Sequence, residues 1–111
     1  MDKVLVIGGS GFVGSHTADR LSEEGFHVTI FDSSPSKWLR EDQEMIIGDM
    51  LDQQLLTKIL KGYRYVYHFG GIADIKESKE KPFDTISLNV MGTTAALEAS
   101  IKNNIEKFIK F

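Results

Sequence analysis

Val4-Leu5-Val6-Ile7-Gly8-Gly9-Ser10-Gly11-Phe12-Val13-Gly14 is an apolar run that passes directly into a glycine-rich turn and then into a helical pattern. Glycines at positions 8, 11 and 14 answer three separate demands. One lets the backbone turn sharply off a strand, one removes the side chain that would block a pyrophosphate, and one lets the helix lie close to the sheet. Phosphates would then meet unpaired amides at a helix start, where the macrodipole also favours negative charge. A bare glycine triplet also fits an ordinary strand-to-helix turn. Its position between an apolar strand and a helix selects the dinucleotide reading.

An acidic residue at a suitable distance strengthens that reading. Val28-Thr29-Ile30-Phe31 reads as a second strand ending in Asp32. Asp32 follows Gly14 at close to the roughly 20-residue separation expected of a carboxylate that grips a ribose 2′-hydroxyl. A carboxylate there accepts from the ribose diol and repels a 2′-phosphate, which favours NAD over NADP. The competing role for Asp32 is a turn residue bonding its own backbone, since Ser33, Ser34 and Pro35 follow. Lys37 and Arg40 lie in the same loop, and neither replaces Asp32.

The 111 residues leave room for one domain with a modest core, and 41% hydrophobic and 26% charged residues are ordinary for a globular chain. A net charge of −3 gives no electrostatic basis for binding nucleic acid or an anionic membrane. With no cysteine there is neither a disulfide framework nor a thiolate metal site, and the three dispersed histidines lack metal-ligand spacing. The expected setting is cytoplasmic. Val4 to Ile7 is too short for a signal peptide, and no segment approaches membrane-spanning length.

Short β-rich runs alternate with helical patterns along the whole chain, which predicts a parallel sheet covered by helices. Strands are expected at Lys3 to Ile7, His27 to Phe31, Glu44 to Gly48, Tyr65 to Phe69 and Lys107 to Phe111. Helices are expected from Phe12 to Glu24, from Asp52 to Leu60, and beyond Pro82. In the last of these, Ile86, Val90, Leu97 and Ile101 recur at helical spacing and predict a core-facing stripe. Gly92 within that helix implies close packing or the approach of a ligand. His68 is expected to be a satisfied strand-end histidine, with His16 and His27 equally ordinary. Tyr63, Tyr65 and Tyr67 read as packing residues. Right-handed crossovers give an α/β, Rossmann-type doubly wound sheet of order 3-2-1-4-5, with ligand across the carboxyl ends of strands one and four.

With Gly8 to Gly14, Asp32, Gly48-Asp49, His68-Phe69-Gly70-Gly71 and Asn89-Val90-Met91-Gly92-Thr93 placed, the chain resembles the extended short-chain dehydrogenase/reductases. Within them it is most similar to the NAD-dependent nucleotide-sugar epimerase/dehydratase group. Glu77-Ser78, Lys81-Pro82 and Asn89 are similar to the corresponding stretch of UDP-glucose 4-epimerases. The resemblance implies that Gly8, Gly11, Phe12 and Val13, with Gly14 behind them, line the pyrophosphate. It further implies that Asp32 and Ser33 hold the adenosine ribose and that Asp49 and Met50 receive the adenine ring. For Asp49 a helix N-cap is the alternative, although Asp52 is also available to cap. Phe69, Gly70 and Gly71 would run beside the nicotinamide ribose, Gly70 standing where alanine is usual. Ile72-Ala73 occupies the place of a cofactor-contacting lysine. Asn89 would serve the cofactor side or bridge to the fourth strand.

The family's chemistry needs a tyrosine with a lysine four residues later, and a serine or threonine just after strand five. Here Tyr63, Tyr65 and Tyr67 are followed four residues later by Tyr67, Phe69 and Gly71. Residues 1–111 are therefore expected to be the N-terminal, NAD-binding piece of a longer enzyme, without catalysis of their own. A nucleotide-sugar substrate would be met only in the full-length parent. The alternative is a stand-alone NAD-binding sensor or scaffold. Self-association through the long helix or the uncovered fifth strand is a further expectation.

Overall fold

The computed structural model describes residues 1–70 and 79–111. Eight elements follow in order: β1 (Lys3–Ile7), α1 (Phe12–Glu23), β2 (His27–Asp32), β3 (Gln43–Ile47), α2 (Gln53–Ile59), β4 (Tyr65–His68), α3 (Pro82–Lys102) and β5 (Lys107–Lys110). All strand pairs are parallel and the sheet order is β3-β2-β1-β4-β5, as the alternating pattern predicts. Val4 to Ile7 of β1 are all buried, because a central parallel strand is covered on both faces and so reads as a continuous apolar run. Boundaries shift by a residue or two from expectation.

Each face of the sheet has its own core. On one, Val4, Val6, Val28 and Ile30 pack with Ala18 of α1, flanked by Tyr65, Tyr67 and Phe69. On the other, Leu5, Ile7, Phe31 and Val66 meet Leu56 and Leu60 around α2 and Ala96 and Ala99 of α3. Tyr63 precedes β4 and shares a 2.7 Å hydroxyl hydrogen bond with buried Thr29 on this second face. At the amino ends of the strands, Arg64 pairs with Asp2 at 2.8 Å and with Glu106, both across exposed surface.

The long helix turns over relative to expectation. Ile86, Val90, Leu97 and Ile101 are all exposed, at 63%, 59%, 39% and 73%. The residues that α3 buries are Gly92, Ala95, Ala96, Ala99 and Ser100. Small side chains at helical spacing let the helix axis approach the sheet, and the bulky apolar set is left on the outer face. No helix among the described residues is long and apolar enough to cross a membrane.

Candidate functional site

A cleft of about 290 Å³ opens across the carboxyl ends of the strands, where the winding of the sheet reverses. It brings together Gly8, Gly11, Asp32, Ser33, Asp49, Met50, Phe69 and Gly70, each anticipated from sequence. Ile7, Phe31, Gly48 and Leu88 also line it. Leu88 was not foreseen, because nothing local marks which side of the long helix faces the cleft. Gly71 lies outside the described residues, as do Ile72, Ala73, Glu77 and Ser78. Phe12, Val13 and Gly14 are at the start of α1 rather than in the cleft lining, and Asn89 is part-buried on α3.

The glycine turn has the geometry its spacing implies. Gly8 has φ +78°, and a Cβ there would come within 2.7 Å of the Gly70 backbone nitrogen. A Cβ on Gly14 would fall on the Gly8 carbonyl oxygen, so this glycine lets α1 close onto the turn. Gly11 caps α1 in extended backbone, with no side-chain hydrogen bond and no acidic residue in the first turn among the described residues. A helix start of this kind presents amides and a positive dipole end to an anion.

Beside it, the Asp32 carboxylate is held from two directions. Its Oδ2 accepts from the Ser10 backbone N–H at 3.0 Å, and its Oδ1 accepts from the Ser33 N–H at 2.7 Å. Ser10 Oγ donates to the Ser34 carbonyl at 2.7 Å, which ties the glycine turn to the loop after β2. Asp32 thus makes the local backbone bond of a turn residue and also reaches across to the glycine loop. A carboxylate has about four acceptor sites, so capacity for a diol is left. Ser10 carries no sequence signal for this role, because its contribution is mainly a backbone amide. Arg40, in the same loop, is engaged with Asp42 at 3.0 Å and Glu23 at 3.6 Å. The hydrogen bond from Arg40 holds the Asp42 carboxyl below its ordinary range.

At the end of β3, Asp49 accepts from the Leu51 N–H at 2.9 Å, while Asp52 caps α2 through the Leu55 N–H at 3.1 Å. The helix-cap alternative for Asp49 is therefore set aside: the cap is Asp52. The Met50 side chain reaches inward. A Cβ on Gly70 would lie 2.7 Å from Met50 Cε, and one on Gly92 would fall on the same atom. Gly92 is thereby explained by packing. Alanine in a helix interior is favoured over glycine by about 1 kcal/mol, but here the Met50 methyl, the end of a flexible side chain, must swing aside to admit it. We expect Gly92→Ala to gain less than the full helix preference in the native background, where the Met50 methyl must move, and about 1 kcal/mol alongside Met50→Ala. Urea unfolding of the four variants in the cycle measures the coupling.

His68, at the end of β4, departs from expectation. It is fully buried, and neither ring nitrogen has a hydrogen-bond partner among the described residues. Burial, reinforced by the charge of Lys110, pushes its pKa down to about 4. It is a neutral imidazole held by burial, with weak contacts to the backbone of His68 itself and of Gly92 in place of a hydrogen bond of normal geometry.

The NAD dependent epimerase/dehydratase family matches residues 4–111. UDP-glucose 4-epimerase of Yersinia enterocolitica is 32% identical over 118 residues, which cover 96% of this chain and 35% of that protein. The crystal structure of UDP-glucose 4-epimerase from Brucella ovis in complex with NAD matches with a TM-score of 0.91 at 33% identity, over 99% of this chain and 35% of that one. UDP-glucose 4-epimerase of Thermotoga maritima with UDP-glucose gives a TM-score of 0.90 at 31% identity, over 97% and 37% of the two chains. The chain spans about 35% of the length of the first curated relatives it matches.

Proposed function

Because the chain belongs to the NAD dependent epimerase/dehydratase family, we propose that residues 1–111 are the NAD-binding part of a UDP-sugar 4-epimerase-like enzyme. The observation that carries this reading is the Asp32 carboxylate, fixed by the Ser10 and Ser33 amides next to the open start of α1. The pyrophosphate lies on the Gly8–Gly11 turn and the amides of Phe12 and Val13, with Gly14 keeping the helix close. Asp32 and Ser33 take the adenosine ribose, and Asp49 and Met50 the adenine. Phe69 and Gly70 run beside the nicotinamide ribose, and Asn89 of α3 is assigned to the cofactor side.

NAD, when bound, accepts a hydride and returns it. This chain's part is to hold and orient the dinucleotide and to exclude a 2′-phosphate through Asp32. The sequence contains no Tyr-x-x-x-Lys, so we assign it cofactor binding and no proton transfer. UDP-sugars, of which UDP-glucose is present in the Thermotoga maritima structure, would be partners of the longer enzyme.

Calorimetry with NAD⁺ and NADP⁺ tests the proposal. The folded chain is expected to bind NAD⁺ and to bind NADP⁺ more weakly. Asp32→Ala should weaken NAD⁺ about tenfold, the worth of a charge-assisted hydrogen bond, and narrow the gap between the two. A folded chain that gives no heat with NAD⁺ would overturn it.

A further inference from the structure

The cleft wall at β4 is braced from β5. Phe69 and Gly70 line that wall, and Gly70 has no side chain with which to anchor itself. From the neighbouring strand, the Lys110 Nζ donates to the Gly70 carbonyl at 3.2 Å. The next residue, Phe111, donates its backbone N–H to the His68 carbonyl at 3.0 Å. Its ring stacks on that of Phe69, with centroids 4.4 Å apart and planes 14° from parallel. Two consecutive residues thus grip two consecutive residues of the wall, one through a charge and one through a ring.

The charge matters because of what surrounds the cleft. Asp32 and Asp49 are its ionisable lining, and no lysine or arginine lines it among the described residues. Among the described residues Lys110 is the cation that reaches its wall. In the sheet Lys110 pairs in register with His68, on the face that carries Phe108 and the α2 and α3 core. An apolar residue there would close that face. A lysine stretched to a carbonyl instead fixes the path of the chain after β4, and partial burial holds its amine below its ordinary range.

We propose that Lys110 is a positioning residue for the half of the cleft over β4, holding the Gly70 backbone at the height at which the second nucleoside of a dinucleotide rests. This rests on the NAD reading above. The glycine turn and the β2 and β3 ends take one nucleoside and the diphosphate, whereas the β4 end takes the other. Gly70 also borders Gly8 and Met50, so a ligand lacking the second nucleoside depends on Lys110 less strongly than the whole dinucleotide does.

The test compares NAD⁺ with ADP on the full 111-residue chain, by calorimetry, in the native protein, Lys110→Met and Lys110→Arg. Lys110→Met is expected to weaken NAD⁺ about fivefold, less than the full worth of a charged hydrogen bond because the free chain makes that bond too, and to weaken ADP distinctly less. Lys110→Arg, which keeps charge and donors, should restore most of the NAD⁺ affinity. If circular dichroism shows Lys110→Met unfolded, Lys110→Gln takes its place with the same expectation. Unchanged NAD⁺ affinity, or equal losses for NAD⁺ and ADP, would overturn the role of Lys110 while leaving NAD binding intact. If the native chain bound neither nucleotide, the NAD reading itself would fail and this role with it.

Discussion

Gly8→Ala is expected to remove about 2–5 kcal/mol of stability, enough to leave much of a small domain unfolded. Two effects add. The native φ of +78° lies in the left-handed region, which costs an L-residue about 1–2 kcal/mol. The new methyl would also meet the Phe69 carbonyl carbon at 2.8 Å and the Gly70 nitrogen at 2.7 Å. These are backbone atoms of a wall that β5 holds in place, so they cannot swing aside as a side chain would. Gly11→Ala is the contrast. Its Cβ would meet nothing closer than the Gly8 carbonyl oxygen at 3.6 Å, an ordinary contact. That variant should stay folded and lose NAD⁺ affinity, because the methyl occupies the approach of the diphosphate. Urea unfolding and calorimetry on the pair separate the two roles; a Gly8→Ala midpoint equal to that of the native protein would refute the first.

Stability should also fall by about 3 kcal/mol between pH 6.5 and pH 4 because of His68. The folded-state pKa is about 4, below the ordinary histidine value of 6.5. Above pH 6.5 the imidazole is neutral in both states and contributes no pH dependence. As pH drops through this window the unfolded chain takes up a proton that the folded chain refuses, so unfolding is favoured. Below about pH 4 the folded ring protonates too, and the effect levels off. His68→Leu, which has no proton to bind, should flatten the curve over this range. Carboxylates add their own acid sensitivity at the low end, so the decisive observation is the difference between the two proteins near pH 5.5. Identical slopes there would show that His68 titrates normally.

What the sequence reveals and what it hides follow from the range of the interactions involved. The Gly8–Gly14 turn, the Asp32 strand end and the parallel order could be read because each is written within a short stretch and each has one dominant physical cause. The orientation of α3 could not. Its two faces are both apolar, and a search for bulky hydrophobic residues at helical spacing selects Ile86, Val90, Leu97 and Ile101, whereas close approach to the sheet selects Gly92, Ala95, Ala96 and Ala99. The fit of Met50 between Gly70 and Gly92 joins three segments distant in the chain, so no local pattern announces it. His68 was expected to have a partner because most buried polar groups do. The strand end instead buries it against Phe108, 5.9 Å away between ring centres. Asp49 and Asp52 are chemically interchangeable as caps, and only the fold decides between them.

The grip of Lys110 and Phe111 on the β4 end bears on biosynthesis. A polypeptide leaves the ribosome amino end first, so the turn at Gly8 and the carboxylate of Asp32 emerge well before the two residues that steady the opposite wall. At roughly 5–20 residues per second, the interval between Met50 and Phe111 is on the order of 3–12 seconds. During that interval a nascent chain has the groups for one nucleoside and lacks the support for the other, so its first encounter with the dinucleotide would be through the adenosine end.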